Sequence, residues 1–127
     1  MGFARAEIEI GKPPDDVWAV AGDFGGIAEW MPGVESCIVD GDDRIVKMLD
    51  MQITERLQSR DEEARVLVYG IVGGIPVGNH RVTITVSETR SGSLVVFEVE
   101  IEPDDMTDLM RHTYEGALKA LKDHLDV

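Results

Sequence analysis

Three side chains in this 127-residue chain combine acid–base chemistry with a pattern that could bring them to an interior. Glu55 alternates with Ile53 and Leu57, so on a strand its carboxyl shares the apolar face. Carboxylates are rarely buried alone. Glu55 either meets water or a cation, with Arg44, Lys47 and Arg56 as nearby choices, or has a raised pKa and serves as an acid. His80 shares its parity with Val82, Ile84 and Val86 at the entrance of a strand, and an imidazole that titrates near neutrality suits proton transfer. Its structural alternative is a rim histidine bonded to the glycine-rich loop. Tyr69 could offer its hydroxyl to a carbonyl, or pack with that hydroxyl satisfied at an edge. Glu55, His80 and Tyr69 are the candidate catalytic residues.

Other chemistries find little support. Cys37 is the only cysteine, so it forms no intramolecular disulfide, and no basic neighbour in sequence activates its thiol. Histidines stand at 80, 112 and 124 only, none paired at ligand spacing, so no metal site and no cofactor is expected. His112 is expected at the surface. The loop Gly73-Gly-Ile-Pro-Val-Gly78 lacks the Lys-Ser/Thr of a phosphate-binding loop and opens no helix. No Ser-His-Asp or Cys-His arrangement can be assembled.

The charge balance narrows the partners. Twelve basic and 25 acidic residues give a formal charge of −13, a field that repels phosphate backbones. Nucleic acid and anionic membranes are therefore not expected as partners. The apolar runs are too short to insert in a membrane, the N-terminus lacks a signal-like apolar stretch, and a cytoplasmic location is expected. The hydrophobic fraction of 43% supports the core of one domain over 1–127. A homodimer is left open.

The elements that must position these residues can be traced in order. Ala4–Ile10 alternates as a half-buried strand, and Pro13-Pro14 leads into a short helix over Asp15–Ala21 with Val17 and Trp18 facing inward. Asp23–Val34 follows, with Trp30 between Gly25-Gly26 and Pro32-Gly33, which allow at most a short helical turn and then force a change of direction. A tryptophan on so interrupted an element suits the wall or lid of a cavity. Six strands are then expected: Glu35–Val39, Arg44–Leu49, Gln52–Arg60, Ala64–Val72, His80–Glu88 and Leu94–Glu102. The strand around Tyr69 is apolar on both faces and so central. Asp105–Leu125 reads as a long helix with a stripe of Met106, Leu109, Met110, Thr113, Ala117, Leu118, Leu121 and Leu125. The result is an α+β domain with helices on one face of an antiparallel sheet.

Together, Pro13-Pro-Asp-Asp-Val-Trp18, Asp23-Phe-Gly-Gly-Ile-Ala-Glu-Trp-Met-Pro-Gly-Val34, Glu55-Arg-Leu57, Asp61, Tyr69 and Glu102-Pro103 resemble the polyketide cyclase/dehydrase branch of the START/Bet v 1-like (SRPBCC) superfamily. The likeness covers nearly the whole chain, and the tryptophan-proline-glycine segment is its most specific part. Phe97 departs from it, standing where many relatives carry tryptophan.

The resemblance implies a helix-grip fold: a curved antiparallel sheet of about seven strands around a long C-terminal helix, with two short helices after strand 1. It also implies a cavity between sheet and helix that takes a hydrophobic small molecule, be it lipid, aromatic or polyketide-like. In some members the guest is cyclised or dehydrated. Phe24, Trp30, Met48, Met51, Phe97, Met106, Met110 and Thr113 are the expected contacts, the methionines because thioethers adapt to guests of different shape. Trp18 is expected in the core. Asp23–Val34 is expected to close the mouth, with its glycines as a hinge. Three functions remain open: a binding protein, a cyclase/dehydrase using Glu55, His80 and Tyr69, or a partner-binding domain whose cavity is filled.

Overall fold

The structure, a computed structural model, describes residues 2–126. Seven strands form one antiparallel sheet: β1 (Gly2–Ile10), β2 (Val34–Asp40), β3 (Asp43–Met48), β4 (Met51–Asp61), β5 (Val66–Gly73), β6 (His80–Thr89) and β7 (Gly92–Ile101). Their spatial order is β1-β7-β6-β5-β4-β3-β2, so each strand from β2 to β7 lies beside its sequence neighbour and β1 returns to pair with β7. β5 is central, as its two apolar faces predict. Irregularities in the pairing of β4 with β5, at Thr54/Glu55 and Leu57/Ser59, increase the local twist and help curl the sheet.

Helix α1 (Pro14–Ala21) and a short 3-10 helix (Phe24–Glu29) follow β1, and the chain ends in α2 (Thr107–Leu125). Pro14 occupies the first turn of α1, where its missing N–H leaves no bond unmade, and Asp15 and Asp16 sit at the positive end of the helix dipole. Met31 to Val34 then reverses the chain with the type II pattern: proline second, and Gly33 third at φ +81. The expected helix from Asp105 is divided: Asp104–Met106 is a 3-10 turn, and the α-helix begins at Thr107.

The core fills the concave side of the sheet. Inward residues of β6 and β7 (Val82, Ile84, Val86, Val95, Phe97, Val99) meet Met110, Tyr114, Ala117, Leu118 and Leu121 of α2. The buried stripe thus runs through Tyr114, whereas Leu109, expected within it, is 59% exposed. Trp18 lies in the core and its indole N–H donates to Glu62 at 2.7 Å. Sheet and C-terminal helix together form the helix-grip arrangement.

Candidate functional site

Between the sheet and the first half of α2 lies a cavity of about 480 Å³. That is within the usual range for small-molecule sites. Its wall is mostly aliphatic and thioether: Ile27, Val34, Val46, Ile53, Ile71 and Ile75, together with Met31, Met48, Met51, Met106 and Met110. Five of the six methionines in the chain line this one space. Trp30, Phe97, Tyr69 and Tyr114 supply the rings. Of the residues that line the cavity, Leu49, Met51, Pro76, Leu109 and Thr113 are exposed, which puts the mouth between the β3–β4 turn, the β5–β6 loop and the start of α2. Trp30, only 9% exposed, is a wall at the other side, beside the 3-10 helix.

Seven of the eight expected contacts line this space: Trp30, Met48, Met51, Phe97, Met106, Met110 and Thr113. Phe24 does not. It is buried behind the wall, where its ring stacks on the Arg44 guanidinium at 4.1 Å. The reading of Phe24 as a contact is corrected on that ground: the ring is interior, but a buried cation occupies its face.

Glu55 lines the cavity, and its partner is Arg44. The antiparallel register places these two residues directly opposite each other on β3 and β4, both pointing inward. Arg44 Nε and Nη2 both approach Glu55 Oε1 at 2.8 Å, while Nη1 donates to the Phe24 carbonyl at 2.7 Å. The guanidinium lies between the rings of Phe24 and Tyr69, 4.1 and 4.6 Å from their centroids. Burial is the largest single influence and works against the Arg44 charge, but the charge and hydrogen bond of Glu55 together with Tyr69 and Cys37 outweigh it, so the guanidinium holds its proton more firmly than usual. Oε2 of Glu55 has no hydrogen-bond partner among the described residues. The other proposed partners are engaged elsewhere: Arg56 with Asp43 on the outer face, and Lys47 3.8 Å from Glu35.

His80 is buried at the start of β6 but is not among the residues that line the cavity. The ladder between β5 and β6 runs from Val66↔Thr85 to Tyr69↔Val82 and stops there. Past that point the Ile71 N–H, which the ladder would otherwise satisfy, donates to His80 Nδ1 at 3.1 Å. The bond goes to β5 rather than to the glycine-rich loop. Gly70 permits the approach, since a Cβ there would collide with the His80 carbonyl oxygen. Burial pulls the His80 pKa down to about 4, so the ring is neutral at physiological pH. An Nδ1 that accepts leaves the proton on Nε2, which then forms a long bond of 3.5 Å to the Tyr114 hydroxyl.

Tyr69 and Tyr114 are both buried against the cavity, and burial raises the pKa of each phenol, so both keep their protons. Sequence reasoning passed over Tyr114. The signal existed: Tyr114 continues the helical spacing of Met110, Ala117, Leu118 and Leu121, all within the expected stripe, which took the adjacent Thr113 in its place. His112 is exposed, as expected. Cys37 is half-buried, and that burial raises its thiol pKa.

A family model described as polyketide cyclase/dehydrase and lipid transport matches residues 1–126. The chain belongs to this family. Its solved relatives include the XoxI protein of Bacillus cereus, which is 28% identical with TM-score 0.92 over 98% of this chain and 96% of that one. A START superfamily protein from Mycobacterium smegmatis shares the fold at 12% identity, TM-score 0.87, with 99% and 98% covered. Ara h 8.0201 does so at 16% identity, TM-score 0.79, with 97% and 96% covered. No curated protein matches the chain in sequence. Among the described residues no helix is long and apolar enough to cross a membrane.

Proposed function

We propose that this family member binds a hydrophobic small molecule in the cavity between the sheet and α2, and does so without converting it. The carrying observation is the cavity itself: about 480 Å³ with a wall almost wholly of aliphatic, thioether and aromatic groups. A concave, mostly apolar space of this size with a few polar groups is the usual form of a small-molecule site. The same openness argues against a domain whose cavity is filled and which serves only to bind a protein partner. Methionines from β3, β4, the start of α2 and the segment after the first 3-10 helix suit a guest whose shape varies.

Binding is favoured over cyclisation or dehydration by the state of the acid–base groups. Proton transfer needs a side chain that can change protonation beside the guest. Glu55 is tied through Oε1 to Arg44, and His80 stands outside the lining with both ring nitrogens engaged. Tyr69 and Tyr114 hold their protons.

Two measurements test this. Native mass spectrometry of freshly purified protein is expected to show a mass increment that is removed by organic extraction, and no chemically altered product of the extracted molecule on re-incubation. Titration with N-phenyl-1-naphthylamine, a neutral dye that fluoresces in apolar sites, is expected to saturate at one equivalent. Met48→Trp, which fills the cavity from β3, should weaken the dye at least tenfold. Conversion of the extracted molecule, or dye binding that does not saturate and ignores Met48→Trp, would overturn the reading.

A further inference from the structure

Among the polar side chains that line this apolar space, the Tyr69 hydroxyl lies against Arg44, and the buried indole N–H of Trp30 has no partner among the described residues. Glu55 and Tyr114 have hydrogen-bonding senses fixed by what lies behind them. Glu55 presents a carboxylate oxygen, because both Arg44 nitrogens converge on Oε1 and leave Oε2 without a partner among the described residues. That oxygen can only accept from a guest. Tyr114 presents the opposite sense. The backbone N–H of Ile71 can only donate, so His80 Nδ1 accepts, and the proton of the neutral ring resides on Nε2. Nε2–H is therefore the donor to Tyr114 Oη, at 3.5 Å. The hydroxyl proton of Tyr114 is left with no acceptor among the described residues, on a side chain that lines the cavity.

Charge sets the third condition. Arg44 and Glu55 are a balanced pair, 2% and 9% exposed. A guest of either sign would leave a net charge against a mostly apolar wall, which is costly. A carboxylate guest would in addition meet Glu55 rather than Arg44, whose nitrogens are bonded to Oε1 and to the Phe24 carbonyl and whose faces are covered by two rings.

We infer that the guest is an uncharged apolar molecule that carries both a carbonyl and a hydroxyl, the carbonyl accepting from Tyr114 and the hydroxyl donating to Glu55 Oε2. Fatty-acid-like anions and alkyl amines are excluded by the same arrangement. Tyr114 is in this account a specificity-determining residue, and His80 a positioning residue that orients its hydroxyl. The inference rests on the proposed binding function and deepens it by naming the chemical class.

The test is displacement of N-phenyl-1-naphthylamine by four probes of one shape: naphthalene, 2-acetylnaphthalene, 2-naphthol and 2-naphthoate. 2-Acetylnaphthalene and 2-naphthol are each expected to bind five- to tenfold more tightly than naphthalene, the gain of about one hydrogen bond. 2-Naphthoate is expected to bind at least tenfold more weakly than naphthalene. Tyr114→Phe removes one oxygen and nothing else. It should abolish the gain of 2-acetylnaphthalene while leaving naphthalene within twofold and the gain of 2-naphthol in place. Equal affinity of the four probes for the native protein, a preference for 2-naphthoate, or a Tyr114→Phe effect that is uniform across the probes would each overturn the inference. If the dye itself does not bind, the proposed function fails, and this inference with it. The native probe series needs no variant, so the test does not depend on how well Tyr114→Phe folds.

Discussion

Arg44 and Glu55 stand opposite each other on adjacent antiparallel strands, and two guanidinium nitrogens meet a single carboxylate oxygen at 2.8 Å on the wall of the cavity. The pair holds together three parts of the site: the β3–β4 ladder, the 3-10 helix through the Phe24 carbonyl, and the Tyr69 ring. It also decides which oxygen a guest would meet.

Removing one member of such a pair leaves the other buried and uncompensated. Arg44→Met is expected to lower the unfolding free energy by about 3–5 kcal/mol in urea denaturation. Arg44→Met combined with Glu55→Leu should recover most of that loss, because an apolar pair of similar size is tolerated where a lone charge is not. If the double variant were as unstable as the single one, the cost would lie in lost packing on Phe24 and Tyr69 rather than in the unpaired carboxylate.

His80 gives the fold a pH dependence of calculable sign. Its pKa is about 4 when folded against 6.5 for an ordinary histidine, so between those values the unfolded chain binds the extra proton. The stability contributed by the neutral ring is fully present above pH 6.5, is lost as pH falls toward 4, and changes no further below that. The loss is on the order of 3 kcal/mol by linkage. Native protein and His80→Gln should therefore converge in stability as pH drops from 7 to 4, read from urea midpoints. Parallel pH profiles would show that His80 is not held neutral by its burial.

Leu49 explains why the sequence left Arg44 as only one of three possible partners for Glu55. It is the first residue of the two-residue turn between β3 and β4, has φ +54, and is 68% exposed. Turns with positive φ are normally marked by Gly or Asn, so a leucine there gives no turn signal. Strands read as Arg44–Leu49 and Gln52–Arg60 would set Leu49 against Gln52 and Val46 against Glu55. The observed register instead sets Met48 against Met51, which brings Arg44 to Glu55. Leu49→Asn is expected to stabilise the fold by roughly 0.5–1 kcal/mol, since asparagine tolerates that conformation and little packing is lost. A thermal melt that shows destabilisation would contradict the strained-turn account.

Other parts of the fold were legible because a single period governs them. Val82, Ile84 and Val86 alternate with polar residues and are all buried on β6, and Pro32-Gly33 specified its turn by chemistry alone. Trp30 was legible as cavity wall because an indole on a broken helix has few other uses. Phe24 and His80 were not, since neither the resemblance that suggested Phe24 nor the parity that placed His80 reports what already lies against a residue. Phe24 is covered by the Arg44 guanidinium from β3, and His80 is spent on the Ile71 N–H beyond the end of the β5–β6 ladder. Both depend on side-chain contacts made across separate elements.

The most direct test of the binding account uses the methionines that surround the cavity. With methyl-labelled methionine, the resonances of Met31, Met48, Met51, Met106 and Met110 should shift together on addition of N-phenyl-1-naphthylamine and saturate at one equivalent. Methionine resonances that stay unmoved while the dye is bound, or shifts limited to Met51 at the exposed mouth, would place the dye outside the cavity and contradict the account.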